Sequence, residues 1–240
     1  MKKIWGKSNR ALEKTFNIIG PIKNKFLKPD CRVHLFIQEN AMNSLWFNEY
    51  YEVYEFFYKY TNIINQGIVW ADQDLKSYCH FFNANTNKGL PGMEDNALTL
   101  AIKYYKYSTA YFYENNMELA MFYLGAVCHL IQDVNVPQHA MGYLLNNHMQ
   151  FENYVKQNYL KINRFKTYDE PIFFDNIESY IKFNSLNAIK TAHMYKNIKN
   201  LNIKFYLIAE KSLKLSQRTT AGFMILYFKN TYMQNPKNQI

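Results

Sequence analysis

The sequence contains 240 residues, of which 48% are apolar and 18% aromatic, so the chain can bury a large core and general disorder is excluded. It has only 8 glycines and 6 prolines, too few for the many turns of a β-sandwich or barrel. Three cysteines are too few for a disulfide framework. The formal net charge of +9 favours an anionic partner, whether a phosphate-bearing substrate, nucleic acid or an acidic membrane surface. We therefore expect an all-α fold.

Apolar periodicity predicts a series of helices. In chain order they cover 33–45, 49–64, 96–113, 117–133, a stretch from about 147, 177–199 and 204–229. A segment after the second helix, 67–94, contains three glycines, a proline and several asparagines, and it is predicted to be a long loop. No repeat or polar linker divides the chain, so we expect a single domain over 1–240.

No targeting or membrane-spanning segment is predicted. The basic start at 1–7 has no apolar stretch behind it, so no signal peptide is expected. The longest apolar run, 119–131, contains a histidine and is shorter than the roughly 20 residues that a membrane span needs. We therefore expect a cytoplasmic protein, with secretion as the alternative.

Two histidines are each followed, four residues later, by an acidic residue on a predicted helix. His129 precedes Asp133 in this way, and His148 precedes Glu152. Residues four apart share a helix face, so each imidazole and its carboxylate are directed to the same point. Neutral imidazole and carboxylate are both zinc ligands. Either pair alone is common by chance, and a lone buried histidine is more often a hydrogen-bonded core residue.

Three more histidines can join these pairs. His139 follows a helix break at Pro137, His80 lies in the predicted loop with Asp72, and His34 lies on the first helix. Five of the six histidines in one compatible arrangement predict the binding of more than one metal ion. The sixth, His193, has no acidic neighbour, and we expect a structural or exposed role for it.

The region 122–155 carries four consecutive motifs, which read Tyr-x-Gly, His-x-x-x-Asp, Pro-x-His and His-x-x-Phe-Glu. In this pattern it resembles the bacterial zinc-dependent phospholipases C, which include the Bacillus and Listeria broad-range enzymes and the catalytic domain of clostridial alpha-toxin. The segments 33–37, 67–82 and 216–223 resemble other parts of the same family. The resemblance extends over about 33–230. It implies one all-helical domain with three zinc ions in a cleft, and no appended C-terminal membrane-binding domain is expected.

The resemblance also implies a ligand set for each zinc ion. His80, His129 and Asp133 would hold one zinc; His139, His148 and Glu152 a second; and His34 the third, to which Asp133 would also bridge. Asp72 matches a family aspartate that faces the attacking water, and it would act as the catalytic general base or as an extra metal ligand.

The third site has a further candidate ligand in Trp5. In the secreted relatives, the amine and carbonyl of an N-terminal tryptophan complete this site. Trp5 is preceded by four residues and lies far before His34. Its nitrogen is therefore an amide, which cannot donate a lone pair to zinc as an amine can. We therefore expect the third zinc to be weaker than the other two. The headgroup-recognising positions of the family have no counterpart here, so the substrate-binding residues stay unknown.

The implied activity is zinc-dependent hydrolysis of phosphatidylcholine-type phospholipids at a membrane surface, giving diacylglycerol and a phosphorylated headgroup. No stable protein partner is inferred. One alternative is an S1/P1-type zinc nuclease acting on single-stranded nucleic acid, but those enzymes end the last ligand motif with Trp-Asp, where this chain has Phe151 and Glu152. Nucleic acid is therefore an unfavoured partner. Another alternative is a non-catalytic protein that uses zinc as a structural staple, which has no need of Asp72.

Overall fold

The fold is described from a computed structural model, which covers residues 31–73, 78–142 and 147–234. The expected contribution of Trp5 therefore lies outside the described residues. In these ranges the chain forms the helices α1 Arg32–Phe47, α2 Tyr51–Tyr58, α3 Thr61–Ala71, α4 Ala97–Tyr113, α5 Met117–Asp133, α6 Pro137–Met141, α7 His148–Asn158, α8 Ile177–Met194 and α9 Leu201–Thr231. The β-structure found there is an isolated bridge between Asn83 and Lys88. The all-α prediction is thus confirmed.

Helix α5 lies at the centre of the bundle. Every residue from Leu119 to its end at Asp133 is buried, as expected for a helix that is apolar on all faces. The side chain of Asn116 accepts a hydrogen bond from the backbone N–H of Leu119 and so caps the helix start. Helices α3 and α4 form its largest interfaces. No described helix has both the length and the apolar character that crossing a membrane requires.

The crossing of α3 and α5 is unusually close because a glycine lies at the contact on each helix. A Cβ atom at Gly67 would collide with the backbone carbonyl of Phe122, and one at Gly125 would collide with the carbonyl of Ile64. The prediction that the loop begins at 67 was therefore wrong, since α3 continues to Ala71. Gly67 serves here to let two backbones approach, rather than to end a helix.

The prediction of a single helix over 49–64 was also wrong. The structure has two helices, α2 and α3, with a break at Tyr60. The N–H of Tyr60 donates to the carbonyl of Phe57, which tightens the last turn of α2. The hydroxyl of Thr61 donates to the carbonyl of Tyr58, and this bond satisfies one of the acceptors that the helix end exposes.

A second apolar cluster holds α1, α7 and α9 together. It contains Phe36 and Ile37 of α1, Phe151 and Val155 of α7, and Phe205 of α9, all of them buried. This cluster fixes α7 against the rest of the bundle. It also forms an apolar wall beside the histidines described next.

Candidate metal centre

The predicted ligands come from six segments that meet at one end of α5. His34 lies in the first turn of α1, Asp72 follows α3, His80 lies in the loop before α4, His129 and Asp133 lie on α5, His139 on α6, and His148 and Glu152 on α7. Six of these eight side chains line a cleft of about 400 Å³. The other two, His80 and His129, are 1% and 0% exposed beneath it. The structure thus brings together every predicted ligand that lies within the described ranges.

A first group of donor atoms is formed by His80, His129 and Asp133. The distance from His80 Nδ1 to Asp133 Oδ2 is 2.8 Å, and that from His80 Nδ1 to His129 Nε2 is 3.2 Å. His129 Nε2 lies 3.6 Å from Asp133 Oδ2. Zinc bonds of 2.0–2.1 Å in a tetrahedron place neighbouring ligand atoms about 3.3–3.4 Å apart. The three atoms therefore lie at the spacing of ligands around one zinc.

The loop that carries His80 is anchored by the two residues after it. Phe81 and Phe82 are buried, and the N–H of Phe82 donates to the carbonyl of His139 at 3.1 Å. The carbonyl of Phe82 accepts a hydrogen bond from the hydroxyl of Ser185 at 2.7 Å. These contacts hold an irregular segment against α6 and α8 and so direct the His80 ring towards α5.

A second group is formed by His139, His148 and Glu152. His139 Nε2 lies 2.9 Å from His148 Nε2, and His148 Nε2 lies 2.9 Å from Glu152 Oε1. Two imidazole nitrogens at this distance repel each other if both present lone pairs or both present hydrogens, so a cation between them removes the conflict. Pro137 begins the short helix α6 and Gly142, with a φ of 71°, ends it, which fixes His139 in a single turn.

Asp133 joins the two groups. His139 Nδ1 lies 3.0 Å from Asp133 Oδ2, an ion-pair contact that is off the ring N–H direction rather than a well-directed hydrogen bond. The other carboxylate oxygen, Oδ1, lies 3.7 Å from His34 Nε2. His34 also lies against the ring of His129, with 4.2 Å between the ring centroids. The carboxylate of Asp133 therefore has one oxygen towards the first group and the other towards His34.

Asp72 lies at the C-terminus of α3, beside the first group. One carboxylate oxygen of Asp72 and ring nitrogens of His80 and His129 lie within 4.8 Å of one another. Asp133 is the last residue of α5, so the C-termini of two helices reach the cleft. Helix C-termini carry partial negative charge, which favours cations at this place.

The carboxylates of the centre are held in their ionised form. Burial disfavours the charge of Asp133, but the charge of His139 and hydrogen bonds from the surrounding imidazoles outweigh it and hold the pKa of Asp133 well below its usual value. Burial also opposes ionisation of Glu152, and the hydrogen bond and charge of His148 outweigh it, so the pKa of Glu152 is lowered. Metal ions bind ionised carboxylates, so both residues are ready for a cation.

The pKa values of the two imidazoles beside Asp133, those of His34 and His139, are shifted in opposite directions. Burial and the nearby His129 lower the pKa of His34, so its ring is neutral near pH 7. Burial also lowers the pKa of His139, but the charge of Asp133 outweighs it, and the net shift is upwards. In the absence of metal, the charge of Asp133 therefore favours the protonated form of His139, and a metal ion at this ring would compete with the proton.

Two further residues belong to the centre and were missed by sequence reasoning. The side-chain oxygen of Gln132 lies 3.0 Å from His34 Nδ1, and Lys156 Nζ lies 3.8 Å from Glu152 Oε2. Gln132 lies three residues after His129, and Lys156 four after Glu152, so helix periodicity alone places both on the ligand-bearing faces. This spacing is the feature of the sequence from which both residues could have been predicted.

The sequence is similar to those of known proteins. The sequence model of the family described as zinc dependent phospholipase C matches residues 33–202. Two Bacillus cereus proteins named phospholipase C are each 28% identical over 206 residues, covering 70% of this chain and 69% of theirs.

Two solved structures share the fold. The alpha toxin of Clostridium absonum superposes with a TM-score of 0.73 at 17% identity, covering 86% of this chain and 65% of the toxin. The Clostridium perfringens alpha-toxin from avian strain SWCP gives 0.65 at 16% identity, covering 85% and 65%. The chain thus spans 65% of the length of each toxin.

These matches confirm the expected fold and family. They favour the predicted phospholipase C-type hydrolase over the nuclease and the non-catalytic staple, and zinc dependence accompanies the family. Since the family match covers well over half of the sequence, the chain belongs to the zinc-dependent phospholipase C family.

Proposed function

We propose that this chain hydrolyses phosphatidylcholine-type phospholipids at a membrane surface, releasing diacylglycerol and a phosphorylated headgroup. The observation that carries the proposal is the spacing of two three-residue donor groups, joined by Asp133, at the floor of one cleft. The curated relatives from Bacillus cereus, which are named phospholipase C, support the reaction class. The names of these relatives specify no headgroup, and the preference for phosphatidylcholine is part of the proposal.

We assign the zinc ligands in three sets. They are His80, His129 and Asp133 for the first zinc; His139, His148 and Glu152 for the second; and His34 with Asp133 for the third. When bound, zinc ions polarise phosphoryl oxygens and activate water as a nucleophile near neutral pH. The lowered pKa values of Asp133 and Glu152 support the assignment, because ionised carboxylates bind cations without first losing a proton.

Asp72 is the residue we propose as general base. Its carboxylate lines the cleft, and it follows the last turn of α3, which the close crossing with α5 holds in place. A carboxylate there accepts the proton of the attacking water through its oxygen. A metal ion bound by this carboxylate would occupy the oxygen that takes the proton, so ligation of Asp72 and general-base catalysis by it are competing roles.

The apolar part of the cleft lining suits the apolar part of a lipid. Its side chains come from the second apolar cluster and neighbouring turns: Val33, Ile37, Val136, Phe151, Val155 and Leu213. Apolar lining excludes water from the reacting phosphodiester and strengthens the electrostatic interactions of the charged groups in the same cleft. It also provides a surface for the glyceride portion of the substrate.

The test is hydrolysis by the purified full chain of a short-chain phosphatidylcholine that stays monomeric, of phosphatidylcholine vesicles and of single-stranded DNA. We expect zinc-dependent release of phosphocholine from both lipid forms, abolition by a chelator, and recovery when zinc is restored. His148→Ala should be inactive, while His193→Ala, an exposed histidine at the end of α8, should match the wild type. Cleavage of DNA without cleavage of phospholipid would contradict the proposal.

A further inference from the structure

Gln132 contacts the one proposed ligand of the third zinc that comes from α1. It lies directly before Asp133 on α5 and is 1% exposed. Its side-chain Oε1 is 3.0 Å from Nδ1 of His34, a contact that joins residues 98 positions apart. A buried amide used in this way restricts the orientation of the ring that it holds.

The direction of this hydrogen bond follows from the chemistry of the ring. His34 Nε2 faces Asp133 Oδ1 at 3.7 Å, which is the side of the proposed third zinc. A ring that offers the lone pair of Nε2 to a metal carries its proton on Nδ1, and that proton is donated to the Gln132 oxygen. The amide oxygen, rather than the amide NH₂ group, therefore faces His34.

We infer that Gln132 is a positioning residue that sets the affinity of the third zinc by fixing the tautomer and orientation of His34. This inference rests on the proposed function, because it requires a zinc bound by His34. Partners of metal-ligating histidines change metal affinity by about 10–100-fold when they are lost. The neutral side chain of Gln132 raises the basicity of the ring less than a carboxylate would, so the third zinc is held loosely.

The partner of His139 at the second site can be compared with the partner of His34 at the third. His139 presents Nε2 to the second donor group, and its Nδ1 lies 3.0 Å from the carboxylate of Asp133. A carboxylate partner increases the basicity of a ligating imidazole. The carboxylate acts on His139 through its charge, because the contact is off the ring N–H direction, whereas His34 has a neutral amide beside its Nδ1. This difference is a reason, independent of Trp5, for weaker zinc binding at the third site than at the second.

The test is a zinc titration of the full chain in competition with a chromophoric chelator. Gln132→Met keeps the length of the side chain but removes the acceptor, and Gln132→Glu keeps an acceptor and gives it charge. The matched control is Gln38→Met. Gln38 is a buried glutamine one turn after His34, and its side-chain NH₂ group lies 3.3 Å from Met224 Sδ. Circular dichroism and thermal unfolding serve to check that each variant is folded.

We expect Gln132→Met to weaken the third zinc by about 10–100-fold and to leave the other two unchanged. Gln132→Glu should bind the third zinc at least as tightly as the wild type, and Gln38→Met should match the wild type. The inference is overturned if Gln132→Met retains wild-type affinity at the third site, or if Gln132→Glu loses the third zinc as Gln132→Met does. A wild type that binds three zinc ions but hydrolyses no phospholipid contradicts the proposed function instead, and leaves the role of Gln132 to be decided by the same titration.

Discussion

Gly125→Ala is a substitution whose effect follows directly from the crossing of α3 and α5. Alanine is favoured over glycine inside a helix by about 1 kcal/mol, so helix propensity alone predicts a more stable protein. At this position, however, the added Cβ would collide with the backbone carbonyl of Ile64. A backbone atom cannot avoid the collision by changing rotamer. The two helices must separate by on the order of 1 Å before carbon and oxygen reach van der Waals distance.

The magnitude can be estimated by comparing the two effects. Overpacking a core costs about 1–3 kcal/mol and occasionally more, and the α3–α5 interface is one of the two largest in the described bundle. A collision with a backbone atom belongs at the upper end of this range, about 3 kcal/mol. After the gain of about 1 kcal/mol in helix propensity, a net loss of about 2 kcal/mol remains. For a chain of this size, such a loss lowers Tm by roughly 4–8 °C.

The assay is thermal unfolding followed by circular dichroism, together with turnover measured per folded molecule. Separation of α3 from α5 displaces Asp72 from His129, and a misplacement of about 1 Å can cost on the order of a hundredfold in rate. Gly222→Ala is the matched control, because its Cβ would collide with the carbonyl of Ile172 at a position that does not line the cleft. It should lose stability but keep its turnover. An unchanged or raised Tm for Gly125→Ala would show that α3 and α5 accommodate a methyl group at their crossing.

Three further predictions concern the acidic residues. Asp72→Asn should lower phospholipid hydrolysis by roughly 10²–10⁴-fold, as expected for a general base, with little change in Tm, whereas Asp175→Asn, an exposed acid, should match the wild type in an assay on the same substrate. Glu152→Gln should lose the second zinc on dialysis while keeping the first, and full zinc content by elemental analysis would show that this ligand is misassigned. In zinc-free protein, ionised Glu152 stabilises the fold at pH values above 4.5, its ordinary pKa, because its pKa is lower in the folded state. This stabilisation is lost as the pH falls through the folded-state pKa. The acid-induced fall in Tm should therefore be shallower in zinc-free Glu152→Gln, and identical curves for the two proteins would contradict this pKa shift.

The parts of the fold that local sequence determines were predicted well. Helices α4 and α5 begin and end close to the expected residues, because Asn96 and Asn116 cap them and the apolar pattern has no interruption. The i, i+4 spacing placed His148 and Glu152 on one face of α7, and their side chains do meet there. Both features depend on residues within a few positions of each other.

The parts that were missed depend on distant segments. Gly67 looks like a helix terminator in the sequence, and its use inside α3 becomes clear only from the carbonyl of Phe122 on another helix. Gln132 has no metal-binding chemistry of its own, and its contact with His34 requires the packing of α1 against α5.

X-ray diffraction from zinc-loaded crystals at the zinc absorption edge can show whether the two donor groups hold zinc, because anomalous scattering locates zinc independently of any activity. We expect one strong peak about 2.0–2.3 Å from donor atoms of His80, His129 and Asp133, and another at the same distance from His139, His148 and Glu152. A third, weaker peak is expected beside His34 and Asp133. Anomalous peaks of zinc-loaded protein that lie away from both donor groups would contradict the proposed metal centre.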